Sequence, residues 1–269
     1  MTRRVCAGLL LCAIACGAGG TAHSQDFAGA AHAAAGDDPF ALLERALPQA
    51  GAEFDAAVAS TRWWELRELE TRAIAMRGAW RTLRVATGVS QTGTPELGWT
   101  ALALAAGGAS ADAGAGLRAC ARADRDAPWS PAKAAARDAG LELGAGAWLA
   151  PAAGVRVWAS APQIYTHGMP PPLARALELG ASAGADTGVW LILRAPRAGA
   201  DGERALGVAV AVAPLTAWAE VRDAPLRGAA GVRASAGALH VDARIDAHPV
   251  LGETIRVALC WRRAARAAS

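Results

Sequence analysis

The chain has 269 residues, 53% hydrophobic and 19% charged, so it can bury a sizeable core; neither disorder nor a disulfide-stapled miniprotein is implied, and one domain accounts for the length. Its 27 basic and 24 acidic residues leave a formal net charge of +3 and are scattered, with no block of like charge to follow a phosphate backbone, which argues against nucleic acid as a partner. Asparagine is absent, Lys133 is the only lysine and alanine is used almost everywhere, so alanine is weak evidence for helix here.

Arg3 and Arg4, the apolar run from Val5 to Ala15 and the small residues leading to Ala22-His23-Ser24 read as a secretory signal peptide over residues 1–24. Ala13-Ile14-Ala15-Cys16 is a lipoprotein-type alternative that lacks the usual leucine at its first position. Cys6, Cys12 and Cys16 fall inside this leader, leaving Cys120 and Cys260, which make no metal site and whose spacing does not say that they meet. Residues 25–51 read as a short plug-like or helical segment.

Beyond the leader, the longest uncharged stretches, Leu97 to Ala111 and Ala205 to Ala219, are shorter than the ~18 to 20 residues a spanning helix needs. What remains is a period of two. Ala52 to Ser60 and Leu66 to Met76 form a first hairpin around Trp63-Trp64, although Leu66, Leu69, Ala73 and Met76 also fit a helical stripe. Alternation continues through Leu117 to Asp124, Leu141 to Ala145, Val155 to Ser160, Leu177 to Ser182, Val189 to Arg194 and Leu206 to Val212. It is cleanest in the last two segments, where Leu239, Val241, Ala243 and Ile245 oppose His240, Asp242, Arg244 and Asp246, and Ile255, Val257, Leu259 and Trp261 oppose Thr254, Arg256, Cys260 and Arg262.

Any antiparallel sandwich alternates in this way; the connectors decide. Tight links at Ala236-Gly237, Pro214-Leu215, Ala185 to Thr187 and Pro151 to Ala153 alternate with longer ones at Ala247 to Gly252, Asp223 to Leu226, Pro196 to Gly202, Pro162 to Pro172 and Arg125 to Ala135. Short turns at one end and longer loops at the other characterise transmembrane barrels. Hydrocarbon offers no hydrogen-bond partner, so such strands must close on themselves. The expectation is an all-β, antiparallel transmembrane barrel over residues 52–263, of about 14 strands with 12 as the alternative, and a tail over 264–269. Trp80, Trp99, Trp148, Trp190, Trp218 and Trp261 lie near strand ends and are expected at the membrane interface. Arg118, Arg122, Glu142, Arg156, Glu178, Arg194, Glu220, His240, Asp242, Arg244, Asp246 and Arg256 are expected to face the lumen, where a salt-bridged interior is the default.

Four segments carry a resemblance: FAGAAHAAAGDDPFALLERALPQAG (Phe27 to Gly51, with the turn Asp37-Asp38-Pro39), TGTPELGWTALALA (Thr92 to Ala105), PPPLARALELGASAG (Pro170 to Gly184) and LHVDARIDAHPVLGETIRVALCWR (Leu239 to Arg262). The chain resembles the barrels related to FadL-type long-chain fatty acid transporters and the PorV-like barrels of type IX secretion. That resemblance implies a bacterial outer-membrane protein surrounded by lipid, acting as a conduit for small hydrophobic molecules or as an anchor for a secretion-system partner. Two departures stand out: Glu44-Arg45-Ala46-Leu47-Pro48 replaces the family's Asn-Pro-Ala-Gly, and the chain ends in Ala267-Ala268-Ser269 where an aromatic residue is usual.

Gly180-Ala181-Ser182-Ala183-Gly184, with Asp242 and His248 downstream, formally matches a hydrolase elbow and triad order, but the elbow needs a helix after Gly184 and the strand-like Val189 to Leu193 follows instead. No cofactor motif or metal-ligand spacing is read; His23, His32, His167, His240 and His248 form no such set. A non-enzymatic barrel is therefore expected. The alternatives are a soluble periplasmic or lipid-anchored β protein that binds a partner, and a secreted serine hydrolase around Ser182.

Overall fold

A computed structural model describes residues 39–49, 53–94, 98–125, 139–167, 177–184, 187–195, 203–223 and 226–263. The leader, Cys16, residues 25–38 and the tail 264–269 lie outside the described residues. Among the described residues one short helix, α1 (Pro39–Arg45), precedes fourteen strands: β1 (Phe54–Arg62), β2 (Glu70–Trp80), β3 (Leu83–Gly93), β4 (Gly98–Ala109), β5 (Ala113–Arg125), β6 (Ala139–Ala152) and β7 (Val155–His167) make the first half. β8 (Leu177–Ala183), β9 (Thr187–Ala195), β10 (Glu203–Val212), β11 (Leu215–Asp223), β12 (Leu226–Ala236), β13 (Leu239–His248) and β14 (Gly252–Arg263) make the second.

Each strand pairs antiparallel with its sequence neighbours, and β1 pairs with β14 from Phe54↔Arg263 to Arg62↔Ile255, closing a barrel. Every strand thereby has a paired neighbour on both sides, and no strand is left as an edge. The first hairpin takes the strand reading over the helical stripe, because Thr71, Ala73, Ala75 and Arg77 are buried while Arg72, Ile74 and Met76 are exposed, a period of two.

At the end that holds the start of β1, the strands join through residues 81–82, 110–112, 153–154, 184–186, 213–214 and 237–238. Positive φ at Arg81 (54°), Gly154 (71°) and Gly237 (60°) fits the mirror-image turns that match strand twist. The opposite end carries the connectors 63–69, 94–97, 126–138, 168–176, 196–202, 224–225 and 249–251. The last two of these, expected to be longer, are as short as the turns below them.

The outer face is apolar. On β10, Leu206, Val208, Val210 and Val212 are exposed while Ala205, Gly207 and Ala209 are buried. On β13, Leu239, Val241, Ala243, Ile245 and Ala247 face out without a charge among them. Nine tilted residues of that kind span about 20–25 Å. Outward charges sit at strand ends, as with the Arg204–Asp223 pair at 3.5 Å and the Arg263–Glu53 pair at 3.8 Å.

Tryptophan placement corrects the sequence reading. Trp80 is 69% exposed and Trp261 45%, on the outer face at the short-turn end, where Trp261 meets Phe54 at 5.9 Å between ring centroids. Trp148 and Trp190 are turned inward and buried, at 2% and 1% exposure. Trp99 and Trp218 also lie on the inner face, in strand phase with buried Ala101 and Glu220. The reason is parity: an inward tryptophan in a closed barrel finds glycine, arginine and carboxylate neighbours for both its ring and its N–H, which hydrocarbon does not supply.

Candidate functional site

The lumen is the candidate site, and the N-terminal segment occupies part of it. All seven residues of α1 are buried, although the helix is a single short element. Phe40, Leu42 and Leu43 pack on a wall of small side chains: Ala57 of β1, Ala73 and Ala75 of β2, Ala86 of β3, Ala101, Ala103 and Ala105 of β4, Cys120 of β5 and Cys260 of β14. Small residues leave the volume that the helix fills. Cys120 and Cys260 form no disulfide within that packing.

Residues 46–49 continue over glycines. A Cβ on Gly116 would stand 2.7 Å from the Ala46 carbonyl oxygen, and one on Gly107 would stand 2.8 Å from Pro48 Cγ, so only glycine lets the segment lie against β4 and β5. Polar contacts fix its course. Arg45 Nε lies 3.1 Å from Glu178 Oε1, and Ser160 Oγ donates to the Arg45 carbonyl at 2.8 Å. Trp148 Nε1 donates to the Pro48 carbonyl. Arg84 Nε donates to the Gln49 carbonyl at 3.1 Å, and Arg156 Nη1 to Gln49 Oε1 at 2.9 Å. Beside this strap a cavity of about 20 Å3, lined by Ala41, Arg45, Leu47, Gln49, Trp148, Arg156 and Trp158, has room for a single water.

Beside and beyond the strap, tryptophans line the wall. Trp158, Trp190 and Trp218 are each the fourth residue of their strand, on β7, β9 and β11, and each is paired with a glycine of the next strand: Gly180, Gly207 and Gly231. Trp148 is paired with Gly114 of β5 in the same way. In all four pairs a Cβ on the glycine would overlap the indole, so the ring lies flat on the bare backbone. Two of the N–H groups bind wall carboxylates: Trp158 Nε1 donates to Glu178 Oε1 at 3.1 Å and Trp190 Nε1 to Glu220 Oε2 at 2.9 Å. The Arg244 guanidinium sits 5.1 Å above the Trp218 ring.

The expected lumen residues sit as follows. Glu142 accepts from Gln163 Nε2 at 2.7 Å and lies 3.5 Å from Arg118. A register irregularity between β6 and β7 brings Gln163 to this position. Arg122 stacks on Trp99 at 4.2 Å and Arg156 on Trp148 at 4.5 Å. Glu220 pairs with Arg222 at 2.6 Å, and Arg222 also reaches Asp246 at 3.8 Å and Glu203 at 4.0 Å. Arg244 pairs with Asp246 at 2.6 Å, and Arg233 grips Asp242 through two bonds of 2.7 and 3.0 Å. His240 Nδ1 meets Ser235 Oγ at 2.8 Å, and Arg256 lies 5.2 Å over Phe40. Arg194 pairs by its backbone with Glu178 and Glu203; its side chain lies outside the described residues.

Three features escaped the sequence reading. Asp55 of β1 is fully buried between Arg77 of β2 and Arg262 of β14, with Arg262 Nε at 3.3 Å, so this triad bridges the closing seam. Arg227 binds Glu203 at the long-loop end. Thr71 and Thr92 share a 2.7 Å hydrogen bond under the β1–β2 loop, whose Trp63 Nε1 donates to Thr71 at 2.8 Å. Ser182 lies on β8 in register with Arg156 and Trp190, and β9 follows it, so the helix that a hydrolase elbow requires is replaced by a strand. His240 and His248 lie at opposite ends of β13, the latter accepting from the Leu251 N–H at 3.1 Å. Among the described residues no cluster of metal-ligating side chains occurs.

This arrangement defines a closed fourteen-stranded antiparallel barrel with an internal N-terminal segment. Among solved structures it is similar to the outer membrane protein Omp33 of Acinetobacter baumannii, at 11% identity and a TM-score of 0.50, covering 79% of this chain and 98% of that one. Variants of the Rhodopseudomonas blastica porin align over 78% of this chain and 98% of theirs, at 9–10% identity and TM-scores of 0.43–0.45. At these identities the likeness is one of fold. No family model and no curated relative matches the chain; of the resemblance to FadL-type and PorV-like proteins, the structural likenesses support the barrel fold.

Proposed function

We propose that the protein is a bacterial outer-membrane barrel whose lumen is a narrow conduit for small polar solutes, partly obstructed by the strap of residues 39–49. The observation that carries the membrane reading is the outer face: Ile74, Leu102, Leu104, Leu117, Leu206 and Val221 are all more than half exposed around a closed sheet whose inner face holds the charges. Water solvates such a continuous apolar cylinder poorly, whereas hydrocarbon solvates it well. Among the described residues no helix is long and apolar enough to cross a membrane.

A polar cargo is favoured over a hydrophobic one because the extended apolar lining of the inner wall is already covered by Phe40, Leu42 and Leu43. The rest of the described wall carries guanidinium, carboxylate and indole N–H groups beside a second, close-packed cluster around Trp148, Trp158 and Trp190. Membrane fractionation, with electrophoresis of boiled against unboiled samples, tests the barrel. The protein is expected in the outer membrane and to shift in mobility only after boiling; release by osmotic shock with no mobility shift would overturn the reading. Small, discrete conductance steps in a planar bilayer test the conduit.

A further inference from the structure

Resting on the conduit reading above, we infer that the solute path runs along one side of the lumen, over the inner face of β12 and β13. The side chains a solute meets there are Arg233, Ser235, His240, Asp242 and Asp246. Burial around the ring carries this. Every inner residue of β13, from His240 to His248, retains solvent-exposed surface, so the strip is wet from one end of the strand to the other. On β12 every inner residue except Ala229 does the same. Across the lumen the inner residues of β2 from Thr71 to Arg77 and of β4 from Ala101 to Ala105 are buried. Like residues make the contrast sharp: the side chains of Asp242 and Asp246 keep 25% and 22% of their surface, whereas Asp55 of β1 keeps 1%.

Two arrangements produce this asymmetry. The helix α1 packs against β1 to β7 and takes up that side of the interior. On the other side the long side chains are folded onto the wall. Arg233 and Asp242 are directly paired across β12 and β13, and their two hydrogen bonds hold the guanidinium flat between the strands. Arg244 reaches along its own strand to Asp246 through bonds of 2.6 and 2.9 Å and lies over the Trp218 ring, with 9% of its side chain exposed. Ser235 and His240 close a hydrogen bond between the same two strands. Arms tied down in this way leave room beside them, and carboxylates that stay hydrated avoid the cost of full desolvation.

Ser235 of β12 and Ser90 of β3 are both inner-face serines, the first half-buried and the second 1% exposed, so Ser235→Cys and Ser90→Cys are a matched pair of conservative changes. The full chain of each variant, checked for heat-dependent mobility, is folded into a planar bilayer and treated with a small water-soluble methanethiosulfonate. The unaltered chain, with Cys120 and Cys260 buried, sets the baseline. Unitary conductance of Ser235→Cys is expected to fall by roughly a third or more, while Ser90→Cys and the unaltered chain keep theirs. Asp242→Cys, midway along β13, is the second variant should Ser235→Cys fail to fold, with the same fall expected. An equal fall in both serine variants, a fall in Ser90→Cys alone, or no fall at Ser235→Cys or Asp242→Cys in a conducting barrel would overturn the one-sided path while leaving the conduit intact. An unaltered barrel that shifts on boiling yet passes no current would overturn conduit and path together.

Discussion

At the scale of single residues, the inner surface is governed by pairs of unequal size. Trp190 lies on Gly207, and its N–H is held by Glu220 at 2.9 Å. Gly207→Ala places a methyl group inside the indole ring, and overpacking of that kind costs about 1–3 kcal/mol. The expected outcome is a lower urea midpoint for loss of the heat-modifiable form, partly restored by Trp190→Phe, whose ring is smaller. Asp55 is the other sensitive residue. Asn at this position keeps the shape but leaves Arg77 and Arg262 facing each other across the seam, and breaking a buried ion pair costs about 3–5 kcal/mol. Asp55→Asn should accordingly lower the same midpoint by more than Gly207→Ala does, and an unchanged midpoint would show that the triad contributes nothing to closure. The orientation of the tryptophans was legible by parity, although their nearness to strand ends suggested the membrane interface. Trp218 stands two residues from Glu220, Trp148 six from Glu142 and Trp190 four from Arg194, all even separations that put them on the polar side. Trp261 stands five from Arg256 and faces the other way.

At the scale of elements, the strap and the wall divide one volume between them. Alanine and glycine line β1 to β5 under α1 and residues 46–49, while tryptophans of β6 and β7 flank the strap beside Leu47 and Pro48 and those of β9 and β11 continue the wall beyond it. Gly116→Val should push the Ala46 carbonyl off the wall and loosen the strap without touching the outer face. The expected result is a barrel that still shifts on boiling but shows larger conductance steps; steps of unaltered size would mean that the strap does not limit the path. The strands themselves were readable because a one-residue slip would exchange apolar and polar faces, so the pattern of Leu239 to Asp246 admits a single register. The strap was readable only as a segment. Its alanines match the alanines of the wall that receives it, and in a chain this rich in alanine neither partner stands out.

For the whole molecule, the outer face sets the energetics of placement. Leu104, midway along β4 and 54% exposed, is expected to sit near the middle of the apolar band. Leu104→Arg should cost about 2–4 kcal/mol in a bilayer, measured by urea titration of the protein folded into vesicles, whereas the same change at an inner position meets water and counter-charge. A cost near zero at Leu104 would remove lipid from that face. The seam between β1 and β14 has a further consequence. It joins positions as far apart as Phe54 and Arg263, so the first strand has no permanent partner on one side until nearly the entire chain is present. Completion must then precede architecture: the whole polypeptide has to be present and kept from aggregating, and removing β14, Gly252 to Arg263, strips β1 of a full ladder and leaves nothing to zip it shut.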